Sequence, residues 1–272
     1  LIAAHLAWNL KSPTPTIAHQ LILYNSIWLI ALISILAASI AVDRIAVSAI
    51  ALALAFWGLG SLATSIDVFS AQSPRFSMVA QFCYSLSYPL LLLAIPRLSG
   101  GDTKLNPLEL LDSLIFGLGF TSLITTLLIT LIFPDGSLLA GHDFFTLFYP
   151  IADVVLLIAT TTSLLSQGLT RQRFCLALGV LIFFLTDIYY LWLRISHRYN
   201  FGSIADDGWL IAWALLAISL NFPPKIAVPR RPIHPALVAV SIFISPILLA
   251  ISALRPDLFP IYILAPVISI LL

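Results

Sequence analysis

Five carboxylates stand where an apolar chain can least easily keep them: Asp67, Asp153, Asp187, Asp206 and Asp207, each inside or at the end of a long hydrophobic run. A carboxylate within a membrane is costly, faces protein or water rather than lipid, and marks a functional site by default. Helical spacing supplies partners. Thr146, Tyr149 and Asp153 share one helix face, as do Gly60, Thr64 and Asp67; Asp187 lies one turn before Tyr190, and Asp206, Trp209 and Trp213 form another stripe. Convergence of these faces would build an outward-opening polar pocket walled by Tyr and Trp, suited to a cation, an amine or a small hydrogen-bonding molecule. The expected ligand-binding residues are Asp153, Asp187, Tyr149, Tyr190, Asp67, Asp207 and Trp209. Plainer roles stay open. Asp153 and Asp187 also fit helix-locking pairs with Arg194, Arg198 or a Tyr hydroxyl. Asp67, Asp206 and Asp207 also fit solvation at the interface, and the Tyr and Trp residues an interfacial belt.

The elements that must position these groups follow from composition. Of 272 residues, 60% are hydrophobic and 9% charged. A soluble domain carries about 25% charged residues, so this chain cannot cover a water-facing surface. A bilayer core of about 30 Å needs about 20 apolar residues in a helix. Runs that meet this need, or approach it, are 20–42, 45–69, 76–96, 108–133, 144–166, 174–193, 206–222 and 235–254, with a ninth, 258–272, cut short. The expected fold is all-α: a polytopic transmembrane helical bundle of about nine spans over 20–272, preceded by an extracytoplasmic lead-in or the tail of an earlier helix over 1–19. A transmembrane β-barrel would show alternating segments of about 10 residues, and the chain has none. Pro89, Pro150, Pro246 and Pro266 fall inside the runs, where each removes a backbone donor and can kink its helix.

Lys and Arg set the orientation. One set of connections holds Arg44, Arg97, Lys104, Arg171, Arg173, Lys225, Arg230 and Arg231; the other holds Lys11, Arg75, Arg194, Arg198 and Arg255. The richer side is expected to be cytosolic, which puts the start of the window outside and the end of the ninth span inside. All five candidate carboxylates then belong to the outer half. Asp43, Asp102, Glu109 and Asp112 fall on the inner side near Arg44, Arg97 and Lys104, where solvated pairing explains them.

Much chemistry is excluded. The net charge of +1, with no basic stripe, argues against a nucleic-acid partner. Lys11, Lys104 and Lys225 lie outside the spans, so none can hold retinal at mid-membrane. His5, His19, His142, His197 and His234 fall at ends or in loops, which disfavours membrane-embedded haem. HExxH is absent, as is any usable Walker A, GxSxG or GxGxxG motif. His142, Asp143 and Asp135 share a loop, but their spacing specifies no metal. Gly58 and Gly60 fit close helix packing, and Cys83 and Cys175 fit small buried hydrophobes rather than a disulfide. No catalytic motif, and no cofactor, is legible.

Six segments in order, 57–67 (WGLGSLATSID), 84–90 (YSLSYPL), 111–115 (LDSLI), 148–157 (FYPIADVVLL), 185–190 (LTDIYY) and 207–217 (DGWLIAWALLA), resemble the multi-pass membrane input region that precedes GGDEF and EAL domains in bacterial cyclic-di-GMP signalling proteins. The resemblance runs from about residue 20 to 222. It implies a sensor domain of the bacterial inner membrane. The lipid bilayer would surround it, and a cytosolic cyclase or phosphodiesterase module beyond Leu272 would carry the output and a homodimer contact; the small polar or cationic ligand expected from outside follows from Asp67, Asp153, Asp187 and Asp207 and not from the resemblance. Two other expectations compete: a secondary transporter or channel using the same carboxylates, and an accessory subunit of a larger membrane complex.

Overall fold

The computed structural model describes residues 1–11, 16–37, 43–69, 76–99, 144–167 and 169–222, with the isolated positions 243, 246 and 247. Among the described residues there are seven α-helices and no strand. They are α1 (Ile2–Lys11), α2 (Tyr24–Leu36), α3 (Arg44–Phe69), α4 (Ser77–Ser99), α5 (Phe144–Gln167), α6 (Arg171–Ile195) and α7 (Ile204–Ser219). A π-helical turn, Ile17–Leu23, runs directly into α2. The spans expected over 108–133 and 258–272, that over 235–254 except for positions 243, 246 and 247, and Pro266 lie outside the described residues.

Ile17–Leu36, Arg44–Phe69, Ser77–Ile95 and Arg171–Arg194 are long and apolar enough to cross a membrane. At 16 residues, α7 reaches about 24 Å, shorter than the hydrocarbon core. Helix α4 continues through Pro89, and α5 through Pro150. Starts are capped by short polar side chains: the Thr16 hydroxyl accepts from the His19 N–H, and that of Thr170 accepts from the Arg173 N–H. Asp43 caps α3 by accepting from the N–H groups of Ile45 and Ala46 at 2.8 and 3.3 Å. The chain divides into two compact units, Leu1–Ser99 with Leu169–Ile226, and Gly100–Gly168 with Ala227–Leu272. The first holds every described helix except α5, which belongs to the second.

In lipid, apolar faces gain little by meeting each other, so small residues and buried polar links decide which helices pack. Helix α3 buries Ala46, Ala49, Ala53, Gly58, Gly60, Ser61 and Ala63. A methyl group at Gly58 would overlap the Trp28 indole of α2, and one at Gly60 would press on the Tyr84 ring and the Ala80 carbonyl of α4. The close packing expected from these two glycines is therefore what the fold contains. Gly179 and Gly208 bring α6 and α7 together in the same way, against the Ala212 carbonyl and the Thr186 side chain. A chain of rings crosses the interior between these helices. Tyr24 lies 6.5 Å from Trp57, Trp57 6.0 Å from Trp213, Trp213 5.8 Å edge-on from Phe183, and Phe183 6.3 Å from Tyr88. Each such pair contributes about 0.5–1.5 kcal/mol beyond burial. Cys83 and Cys175 are free thiols.

Arg97, in the last turn of α4, reaches Asp43 at the start of α3 at 2.8 Å, the interfacial pairing expected for this carboxylate. Removal from water pushes the Asp43 pKa up, but the Ala46 N–H, the Arg97 guanidinium and the Ile45 N–H outweigh it and hold the group below its ordinary value.

Two predictions follow from this packing. Gly58→Leu should destabilise the bundle by about 1–3 kcal/mol through overpacking on Trp28, read as a lowered midpoint in thermal unfolding of the detergent-solubilised chain. Because the Asp43 pKa is depressed in the fold, its contribution is present above the unfolded value and fades as pH falls through the folded one. Asp43→Ala should thus cost about 1 kcal/mol at neutral pH, and parallel unfolding curves should show that gap closing below about pH 4.

Candidate functional site

Asp187, two-thirds of the way along α6, is 4% exposed. Its Oδ2 accepts from the Tyr88 hydroxyl of α4 at 2.9 Å and its Oδ1 from the Trp209 indole N–H of α7 at 2.6 Å. One carboxylate thus ties three helices with neutral donors. Trp209 carries Tyr190 edge-on at 5.3 Å, and Tyr190 in turn meets Tyr199 at 4.7 Å and lies 5.8 Å beneath the Arg194 guanidinium. The structure thus places Trp209 between Asp187 and Tyr190, and adds Tyr88 from a helix that spacing could not connect to Asp187.

Asp206 and Asp207 correct an expectation. Interfacial solvation would leave them wet, yet they are 2% and 1% exposed. Asp206 reaches back to the loop before α7. Its Oδ2 accepts from the Gly202 N–H at 2.6 Å and its Oδ1 from the Tyr199 hydroxyl at 3.0 Å, a carboxylate placed at the positive end of its own helix. The loop conformation makes this work. His197 turns left-handed with φ 52°, Gly202 has φ 89°, and the Gly202 Cα lies so close to the Gln20 side chain that any larger residue would collide with it. Burial, and next the Asp206 carboxylate, push the Tyr199 hydroxyl well above its ordinary range, so it stays a donor.

Asp207 turns the other way, onto α1. His5 Nδ1 lies 2.6 Å from its Oδ1, and Asn9 Nδ2 donates to its Oδ2 at 2.8 Å. Both oxygens accept, so His5 Nδ1 carries the proton. The His5 ring, fully buried, stacks on His19 at 4.1 Å between centroids, and Trp8 covers the far face of His19 at 5.2 Å. His19 is held at both nitrogens. Its Nε2 donates to the His5 carbonyl at 3.2 Å, and its Nδ1 accepts from Gln20 Nε2 at 3.2 Å, which defines a neutral ring. The π-helical winding, with the Tyr24 N–H bonded to the His19 carbonyl, presents His19 and Gln20 inward together. His5 Nε2, by contrast, is buried with no hydrogen-bond partner among the described residues.

The remaining candidates are dispersed. Asp67 accepts from the Phe76 N–H at 3.0 Å, closing the α3–α4 connection, while Thr64, one turn earlier, meets the Tyr84 hydroxyl at 3.2 Å. Asp153 is fully buried in α5, with Tyr149 half-buried one turn before it and packed edge-on to Phe148 at 5.8 Å. Both belong to the second unit. The Asp206, Trp209 and Trp213 stripe serves three ends: the loop, Asp187 and the aromatic interior, where Trp213 is fully buried. Sequence reasoning missed His5, Asn9, His19 and Gln20 by assigning the histidines to helix ends. The available signal was His5 and Asn9 at i, i+4 on an otherwise apolar helix.

No protein-family model matches the chain, and neither a curated protein nor a solved structure matches it.

Tyr88→Phe should leave Asp187 one donor short inside the bundle, at a cost of about 1–3 kcal/mol. Unfolding of that variant beside Tyr84→Phe, whose hydroxyl meets the half-buried Thr64, should show the larger loss for Tyr88.

Proposed function

We propose that this chain is the membrane input region of a bacterial inner-membrane signalling protein, a bundle of about nine spans that takes a small polar or cationic ligand from the outer side and regulates a cytosolic cyclic-di-GMP module. The observation that carries the reading is the Asp187 carboxylate held between α4, α6 and α7 by Tyr88 and Trp209. A sensor must bias two arrangements of one bundle through contacts that differ between them. A charge shared by three helices provides such contacts. A cationic ligand that takes over one carboxylate oxygen releases an indole or a phenol, and the released helix is free to shift. The rings of Trp209, Tyr190 and Tyr199 next to that carboxylate suit a cation, and the ring chain through Trp213 and Trp57 gives the shift a packed route to α3. The six sequence segments that resemble GGDEF and EAL input regions suggest the output class. A homodimer would form through that output domain.

Two measurements test this. Reading the coding sequence past Leu272 should reveal a GGDEF or EAL domain; a stop codon within a few residues would overturn the signalling assignment. In the full-length protein, with methylammonium as the probe cation, Asp187→Asn should alter the dose response of cyclic-di-GMP output at unchanged membrane abundance. An unchanged dose response would remove the Asp187 site.

A further inference from the structure

We infer that His5 and Asp207 form a proton-binding site, and that its protonation holds α1 against the start of α7. This deepens the proposed sensing function by naming the proton as a ligand of the α1–α7 end, and its test is read on the chain itself.

The geometry separates the two stacked histidines. His19 is fixed as a neutral ring by an acceptor at Nε2 and a donor at Nδ1. His5 is fixed only at Nδ1, by Asp207, which leaves Nε2 as the atom where a proton comes and goes. A carboxylate that orients one ring nitrogen while the other stays open is the arrangement by which proteins prepare a histidine for proton exchange. A proton also needs no cavity, and this ring has none of its edge in water: His19 stacks on it, Tyr24 lies 5.3 Å away, and Asp207 and Asn9 close the Nδ1 side.

Charge balance gives the direction. The titratable groups facing His5 are Asp207 from α7, His19 from the π-turn and Tyr24 from α2, with Asp206 and Tyr199 behind Asp207. Among the described residues no Lys or Arg pairs with Asp206 or Asp207. Asp206 is met by the Gly202 N–H and the Tyr199 hydroxyl, so the charge left for compensation is that of Asp207, and the group against it is His5. The protonated ring forms a charge-assisted bond to Asp207 and ties α1 down. Losing the Nε2 proton leaves Asp207 uncompensated and weakens the tie, so α1 docks under acid conditions and loosens as pH rises.

The test is hydrogen exchange of residues 2–11 in the whole chain in lipid nanodiscs from pH 5.5 to 8.5, corrected for intrinsic base-catalysed exchange. Protection of α1 is expected to fall about tenfold or more across this range, the size of one charge-assisted bond. His5→Gln should flatten the dependence, and His19→Gln should preserve it. Titration of wild-type ring nitrogens by nitrogen NMR, which needs no variant to fold, should show the change at His5. A pH-independent α1, a dependence surviving His5→Gln, or one abolished only by His19→Gln would each overturn the proposal. If no cyclic-di-GMP module follows Leu272, the signalling reading falls while these outcomes still decide the proton site.

Discussion

A carboxylate that leaves water inside a membrane bundle has to be met by donors, and the donors have to come from somewhere else in the chain. Asp187, Asp206 and Asp207 are all at most 4% exposed. An unmet ion in such a place costs several kcal/mol, more than any single packing contact here returns. Asp206 finds its donors close by, in Gly202 and Tyr199, and Trp209 reaches Asp187 from the next helix, but Tyr88 for Asp187, and His5 and Asn9 for Asp207, come from roughly 100 to 200 residues away in sequence. Because lipid supplies no strong drive for one apolar face to choose another, these few polar links fix which helices are neighbours. The small residues of α3 and the glycines of α6 and α7 then let those neighbours close to contact.

The first turn and a half of α7 is where the links concentrate. Successive residues of a helix point about 100° apart, so Asp206 and Asp207 face different partners. Asp206 binds the preceding loop, Asp207 binds α1, and Trp209 binds Asp187 on α6. A rotation or shift of this turn is felt by α1, α4 and α6 together. The same turn is the positive end of the helix macrodipole, which favours the two carboxylates placed there. Helix α7 can be short because its role is set by this end and by Trp213 below it rather than by spanning length.

How much of this was legible follows from what periodicity and composition measure. Apolar runs locate helices well where the run ends at a charge or a cap: 45–69 became Arg44–Phe69, and 144–166 became Phe144–Gln167. Gly58 and Gly60 were readable as a packing face because their neighbours are apolar on all sides. Asp187 was readable as buried because it lies well inside its run. Asp206 and Asp207 were not, since two carboxylates opening a helix look like a solvated start, and it is the preceding loop for Asp206 and α1 for Asp207 that meet them. The histidine stack was hidden for the same reason. His5 and His19 lie at the edges of hydrophobic stretches, where composition assigns them to the interface, and the contact between them joins two elements that no local spacing relates.

The two kinds of buried charge in the first unit obey one rule. Asp43 and Arg97, each about one-fifth exposed, form a permanent ion pair where water still softens the desolvation of both. Asp207 is 1% exposed, and there the chain uses Asn9 and a histidine instead of a guanidinium. A buried Arg would stay charged under all conditions and would lock α1 in place. A histidine can give up its charge, which a guanidinium cannot. The chain thus joins α3 to α4 with an ion pair at a partly wet boundary and α1 to α7 with a histidine–carboxylate contact out of water.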